Sequence, residues 1–303
     1  YKEELGWDWS DIAILYRINR LSLEIQTALA FEGIPYTVVG GFSFFDRKEI
    51  KELVSVLKFA NNPFDVISFY KIFELFNGVG NKTLAQIESF AHEKEVSVFE
   101  ICKNIEEYIS KPKTVKTIKK MVEIFDKDFT VMNPGDILEY FVEKLEYNKH
   151  IEKYAKVHKE CQERQDNVRE LINNATQNKK DDLNSYLQNI LLVSSADKES
   201  DTDSVNLMTV HACKGLEFPI IFLIGVEGSI MPHSMALAEC NTIEEQIAAI
   251  EEERRICFVA ITRAEQHLHL SYCKNRYFRR GHALEKKIAY PSQFIKEMDL
   301  IND

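Results

Sequence analysis

The sequence predicts an α/β domain that is discontinuous along the chain and hosts an all-helical subdomain, on three observations. Both ends of the 303-residue chain alternate short apolar or β-branched runs with amphipathic segments. Between about 62 and 196 strand signals almost vanish, and helical periodicity with dense Lys, Glu and Asn takes over. A stretch poor in apolar residues, Ser194 to Ser204, then leads back into strand texture. The economical division is 1–62 with 196–303 as the α/β domain and 63–195 as the helical insertion.

Taken in order, Asp11 to Tyr16 reads as a strand, and Leu21, Ile25, Ala28 and Leu29 recur at helical spacing up to Gly33. Tyr36 to Val39 forms a second strand closed by Gly40-Gly41. Asp46 and Glu49 have capping-box spacing ahead of a helix with an apolar face of Ile50, Leu53, Val54 and Leu57, which Asn61-Asn62-Pro63 stops. Inside the insertion Asn133-Pro134-Gly135 is a break, and Asn173 to Asp182 is polar enough for a mobile loop or helix end. After the return, Val205 to Val210 and Pro219 to Gly225 read as buried strands and Thr242 to Ala264 as a long helix. His267 to Tyr272 is a strand with alternating Leu268 and Leu270, and a last helix begins near Pro291.

Composition narrows the function classes. An apolar fraction of 45% is that of an ordinary globular protein. The longest apolar run, Pro219 to Val226, is far below the roughly 20 residues of a membrane span, so a cytoplasmic protein is expected. The six cysteines form no C-x-x-C pair and have no histidine at zinc-finger spacing, so buried reduced thiols are expected and no metal site. A net charge of −10 argues against coating nucleic acid by bulk electrostatics; any contact must come from local patches. One is Lys274 to Lys287, where Lys274, Arg276, Arg279, Arg280, Lys286 and Lys287 surround Tyr277 and Phe278. Basic residues interleaved with aromatics suit phosphates and stacked bases, but equally a solvated loop with two anchoring aromatics.

Three segments carry the chemistry: Asp11-Ile12-Ala13-Ile14-Leu15-Tyr16-Arg17-Ile18-Asn19-Arg20, Val210-His211-Ala212-Cys213-Lys214-Gly215-Leu216-Glu217-Phe218, and Glu252-Glu253-Arg254-Arg255-Ile256-Cys257-Phe258-Val259-Ala260-Ile261-Thr262-Arg263-Ala264-Glu265. In this order they resemble motifs IV, V and VI of the superfamily 1 DNA helicases of the UvrD/Rep/PcrA type. The resemblance covers nearly the whole chain and implies a RecA-like parallel-sheet domain, 2A, interrupted by a helical 2B subdomain. No G-x-x-x-x-G-K-[ST] phosphate loop occurs. The expectation is therefore half of a motor: ATP with Mg²⁺ bound between this chain and an N-terminal RecA-like domain of the same protein, with single-stranded DNA and a duplex junction as partners.

The resemblance assigns roles by position. Arg263 and Arg17 match arginines that reach the γ-phosphate, and a permanently charged planar guanidinium suits phosphoryl transfer. An arginine near a helix C-terminus is also common for dipole reasons. Tyr16 matches a ring stacked on adenine, though a strand-end tyrosine is otherwise a core residue. Glu217 matches a carboxylate on the nucleotide sugar, and Gly215 permits close backbone approach. Thr209, His211 and Lys214 end a strand, where α/β sheets place ligand loops, and the resemblance implies contact with single-stranded DNA. His211 is read either as bonded to a DNA phosphate or as buried on backbone. Cys213 stands where the family pattern has Ser or Ala, and its thiol is expected to make the segment sensitive to alkylation. In the insertion, Gly78-Val79-Gly80-Asn81-Lys82-Thr83 resembles the glycine turn of a helix-hairpin-helix. Gly78, Gly80 and Lys82 would hold a DNA phosphate, with Thr83 and Gln86 as capping box; a plain helix-helix turn is the other reading.

Two further functional readings stand beside the helicase. One is a non-enzymatic DNA- or partner-binding module that kept the fold, against which Arg17, Glu217 and Arg263 are all intact. The other is a part of an AddA- or RecB-like helicase-nuclease, which shares these motifs.

Overall fold

The computed structural model describes residues 1–177, 182–196, 203–238, 240–280 and 283–300, and the side chains among them except at 278–280, 283 and 284. Internal contacts divide the chain into two compact units, Tyr1–Asp46 with Leu191–Asp303, and Arg47–Ile190.

The first unit is built on β1 (Ile12–Tyr16), β2 (Tyr36–Val38), β3 (Val205–Thr209), β4 (Phe218–Ile224) and β5 (Ala264–Leu270). They form one parallel sheet in the order β2-β3-β1-β4-β5. Strand β1 is central, between two strands that follow it by some two hundred residues, so the sheet closes only when both chain ends are present. The runs Ile12-Ala13-Ile14-Leu15-Tyr16 and Phe218-Pro219-Ile220-Ile221-Phe222-Leu223-Ile224 are continuously apolar, as parallel strands covered on both faces require. One face packs Ala13, Leu15, Met208, Ile221 and Leu223 against Cys257 and Ala260 of the helix Ile243–Ile261 and Phe294 and Ile295 of the helix Gln293–Glu297. Each large side chain so buried contributes about 1.5–3 kcal/mol.

The helix Ile243–Ile261 starts in a capping box between Thr242 and Glu245. It ends earlier than the sequence reading placed it, and Ala264 is already the first residue of β5. The Arg263 carbonyl accepts from Phe218 N at 2.9 Å, which ties this point to the start of β4. Beyond β5 the chain forms an antiparallel pair, β6 (Asn275–Arg280) and β7 (Ala283–Ile288). The sequence reading found no strands there, because charged residues on both faces conceal the two-residue alternation.

The second unit is helical. Its helix Lys48–Asn61, which the sequence reading grouped with the α/β domain, packs against Val66–Phe73, Pro134–Lys144 and His158–Gln177. The expected capping box at its start does not form: Arg47 is the N-cap residue and caps with no side chain. Glu49 instead accepts from Arg164 Nη1 at 2.6 Å and Asn167 Nδ2 at 2.8 Å, and Tyr147 donates to Glu52 at 2.6 Å. Buried carboxylates need such partners, and the partners lie a hundred residues away, invisible to local spacing. Asn133-Pro134-Gly135 breaks the helices by starting a new one: Asn133 Oδ1 accepts from Gly135 N at 2.9 Å and Pro134 occupies the first turn. The stretch read as a loop or helix end, 173–182, is helical to Gln177; 178–181 lie outside the described residues, as do 197–202 of the expected return linker. No described helix is long and apolar enough to cross a membrane.

Candidate functional site

The two ends of the parallel sheet carry different members of the candidate set. At the C-terminal end, Tyr16 pairs with Thr209 on one side and Ile224 on the other, and Arg17 follows it. The Thr209 carbonyl accepts from Ala212 N at 2.9 Å and Cys213 N at 3.2 Å, and its hydroxyl accepts from Ala212 N at 3.2 Å. This tight turn presents His211 and Lys214 as exposed residues. Gly40, at the end of β2, backs the turn: its φ is +70° and a Cβ there would lie 3.1 Å from Ala212 Cβ. From the turn the chain crosses to the other end of the sheet through Gly215, at φ +91°, and Glu217, and enters β4.

Arg263 stands at that other end. Its Nε donates to Val259 O at 3.1 Å, Nη1 to Leu216 O at 3.3 Å and to Glu217 Oε1 at 3.5 Å, and Nη2 to Thr262 Oγ1 at 3.2 Å. Neutral acceptors thus orient the guanidinium, and its one ion pair is loose, with the Glu217 side chain 58% exposed. Exposed pairs of this kind contribute at most about 1 kcal/mol, so an incoming anion can displace the carboxylate at little cost. Arg263 and Glu217 are therefore brought together, with Gly215 two residues earlier on the same segment.

Arg17 is not brought to them. Tyr16 pairs with the last residue of β4 and Ala264 with the first, so the two arginines stand at opposite ends of that strand, about 20 Å apart along it. The Arg17 guanidinium is engaged by Glu253, Nε to Oε2 at 3.0 Å and Nη2 to Oε1 at 2.6 Å. Glu253 is 2% exposed and also accepts from His233 N at 3.0 Å. Burial pushes its carboxyl up, but the hydrogen bonds and charge of Arg17, with the His233 N–H, outweigh that and hold it below the ordinary value. Tyr16 likewise offers no open ring: it is 1% exposed, packed at the end of β1. Sequence spacing could not separate the two arginines, because it records order along the chain and not which end of the sheet each residue reaches.

Cys213 corrects one expectation. Its side chain is fully buried, Sγ donates to Val210 O at 3.1 Å, and burial pushes its pKa up although Arg263 pulls the other way. A buried thiol kept protonated is a poor target for alkylation. Cys273, in contrast, is exposed.

In the helical unit Gly78 has φ +99°, in the left-handed region, whereas Gly80 has an ordinary extended backbone at φ −99° and ψ 164°. Helix Asn81–Lys94 starts directly after Gly80 without a side-chain cap, so the Thr83 and Gln86 box is absent and Thr83 N donates to Gly80 O at 2.9 Å. Gly78, Gly80 and Lys82 are exposed. Sequence reasoning missed Lys113, whose Cε lies 3.5 Å from where a Cβ on Gly78 would sit, and which adds a second cation to the turn. Phe278 falls within β6, paired in register with Glu285, and its side chain lies outside those described.

Comparisons with known proteins agree with the motifs. Residues 3–275 match the profile of the UvrD-like helicase C-terminal domain. The chain is 36% identical to the ATP-dependent DNA helicase PcrA of Bacillus subtilis, over 88% of the chain and 37% of that protein. It is 33% identical to the protein of the same name from Staphylococcus epidermidis, over 97% of the chain and 40% of that protein. The chain thus spans about two fifths of the length of the curated relatives it matches.

Proposed function

Because the chain belongs to the UvrD-like helicase C-terminal domain family, we propose that it works as the C-terminal half of an ATP-dependent 3′-to-5′ DNA helicase. Its relatives carry the name of a DNA helicase, which favours neither a bare binding module nor a helicase-nuclease. The observation that carries the reading is the course of residues 209–217, one segment that touches both ends of the sheet, with Thr209, His211 and Lys214 at one end and Glu217 beside Arg263 at the other.

The end bearing Arg263 is the nucleotide end. There Arg263 exchanges its loose contact with Glu217 for the terminal phosphate and neutralises charge that builds on the equatorial oxygens as the phosphoryl group transfers. Glu217, released and exposed, bonds the nucleotide sugar, and Gly215 lets the backbone come close. The residues fit ATP through its phosphates. No group of three or more His, Cys, Asp or Glu among the described residues is arranged to hold Mg²⁺, so the metal that supplies further charge neutralisation would be held by the partner RecA-like domain.

The opposite end is the DNA end, where His211 and Lys214 meet phosphates of a single strand and Arg17 acts through Glu253 as a clamp on the helix that leads to Arg263. In the helical unit the Gly78 turn, with Lys82 and Lys113, contacts duplex backbone without reading sequence. The test is phosphate release by the purified chain with single-stranded DNA present. It should remain at background; robust turnover that survives Arg263→Ala would contradict the reading.

A further inference from the structure

Within the helical unit a groove of about 380 Å³ opens between the start of helix Val66–Phe73, the C-terminal end of helix Asn81–Lys94 and the start of helix Val98–Lys103. Val66, Ala91, Val96 and Val98 make its apolar wall. Phe64 stands at its edge, 64% exposed, with its N–H donating to Asn62 Oδ1 at 3.1 Å. Ile67, three residues on, is 84% exposed. Two large apolar side chains in water beside an apolar groove mark a surface that another molecule covers.

The polar rim has one sign of charge. Glu88, His92 and Glu95 form it, and no Lys or Arg lines the groove among the described residues. The nearby cations are engaged elsewhere: Lys94 lies over the Tyr108 ring, 4.9 Å from its centroid, and Lys71 donates to Glu74 at 2.9 Å. The Tyr70 hydroxyl donates to Glu88 Oε2 at 2.8 Å and so holds that carboxylate in place. The Glu95 carboxylate has no hydrogen-bond or ion-pair partner among the described residues. Its backbone is unusual as well. Glu95 N donates to His92 O at 3.3 Å and Val96 N to Ala91 O at 3.1 Å, the pairing that commonly ends a helix on a left-handed glycine. Glu95 occupies that position, at φ +55°, where a side chain is strained. Strain retained for a carboxylate at the rim of a groove points to a use for it.

We propose that this groove docks a segment of a partner protein that carries large apolar side chains with Lys or Arg beside them. The apolar side chains cover Phe64 and the Val96 and Val98 wall, and the cations meet Glu88 and Glu95. An acidic rim repels phosphates, so the occupant is a polypeptide and not nucleic acid. Helix Asn81–Lys94 puts about 20 Å between the groove and the Gly78 turn, more than twice the screening length of about 8 Å, so each can be occupied independently of the other.

The test pans a random peptide library displayed on phage against the full-length protein, then measures the most enriched peptide, fluorescein-labelled, by anisotropy. Enriched peptides should combine Leu, Ile, Phe or Trp with Lys or Arg. Phe64→Ala should weaken binding by about 10-fold or more. Glu95→Gly should weaken it about 2- to 5-fold while raising the melting temperature by about 1–4 °C, because glycine relieves the left-handed strain. A purely structural residue would not move binding and stability in opposite directions. Val131→Ala, at a side chain 88% exposed elsewhere on the helical unit, should match wild type. A benzophenone on the peptide should crosslink to the segment containing Phe64 or Val96. The proposal is overturned if no peptide is enriched, if the enriched peptides are acidic, or if they bind Phe64→Ala and Glu95→Gly as tightly as wild type. None of these results would touch the nucleotide and DNA assignments.

Discussion

Removing Arg17 should cost stability before it costs anything else. Arg17→Met keeps the aliphatic stem but leaves the Glu253 carboxylate, 3% exposed at its side chain, with only the His233 N–H. Breaking a buried ion pair from one side costs about 3–5 kcal/mol, because the remaining charge stays uncompensated. Urea denaturation followed by tryptophan fluorescence reports the α/β unit alone, since Trp7 and Trp9 are the chain's two tryptophans. With a slope of about 2.5 kcal/mol per molar, the midpoint should fall by about 1–2 M. Arg255→Met on the same helix removes the partner of Glu252 in a pair exposed at 72% and 60%, and should move the midpoint by less than about 0.3 M. The pH dependence has a fixed sign. The Glu253 pKa in the fold lies below 4.5, so the pair's contribution is complete above the unfolded carboxylate value and disappears as pH falls through the lowered folded value. Wild type and Arg17→Met should therefore converge on acidification. A midpoint for Arg17→Met within 0.3 M of wild type at neutral pH, or a gap that does not narrow in acid, would refute the reasoning about this pair.

Other outcomes follow from particular atoms. Gly135→Ala should destabilise the helical unit by about 1–3 kcal/mol in thermal melts, because a Cβ there meets Thr176 Cα at 3.0 Å and Thr176 Oγ1 closer still; an unchanged melting temperature would mean that these helices can part freely. Gly78→Val should weaken binding of the full-length protein to a tailed duplex, whereas Gly80→Val should be tolerated, since only Gly78 has a positive φ; the reverse order in paired titrations would contradict the turn geometry. Alkylation of the native chain with iodoacetamide should label Cys273 well before Cys213 by peptide mass spectrometry, and early labelling of Cys213 would show that its burial is not maintained.

Much of this was legible in the sequence where local physics decides. The apolar runs of β1, β3 and β4 announce buried parallel strands and the stretch from Thr242 announces a long helix, whereas the ligands of the 209–217 segment are implied only by its resemblance to a known motif. Long-range partners were not legible. Glu49 has the spacing of a capping residue but is taken by Arg164 and Asn167, and Arg17 has the sequence of a phosphate ligand but is taken by Glu253. The β6–β7 hairpin was hidden for the opposite reason, since its charges satisfy no apolar alternation. Which end of a sheet a residue reaches depends on strand direction and pairing, and neither is written in motif spacing.

Arg263 is the residue we propose this chain contributes to nucleotide chemistry. The decisive measurement is steady-state ATP hydrolysis by the full-length protein carrying Arg263→Ala, with saturating single-stranded DNA and folding checked by thermal melting. The loss of kcat should be on the order of 10³-fold or more, with Lys unable to restore it fully and DNA affinity largely kept. A folded Arg263→Ala protein with near-normal kcat and unchanged stimulation by DNA would contradict the central claim.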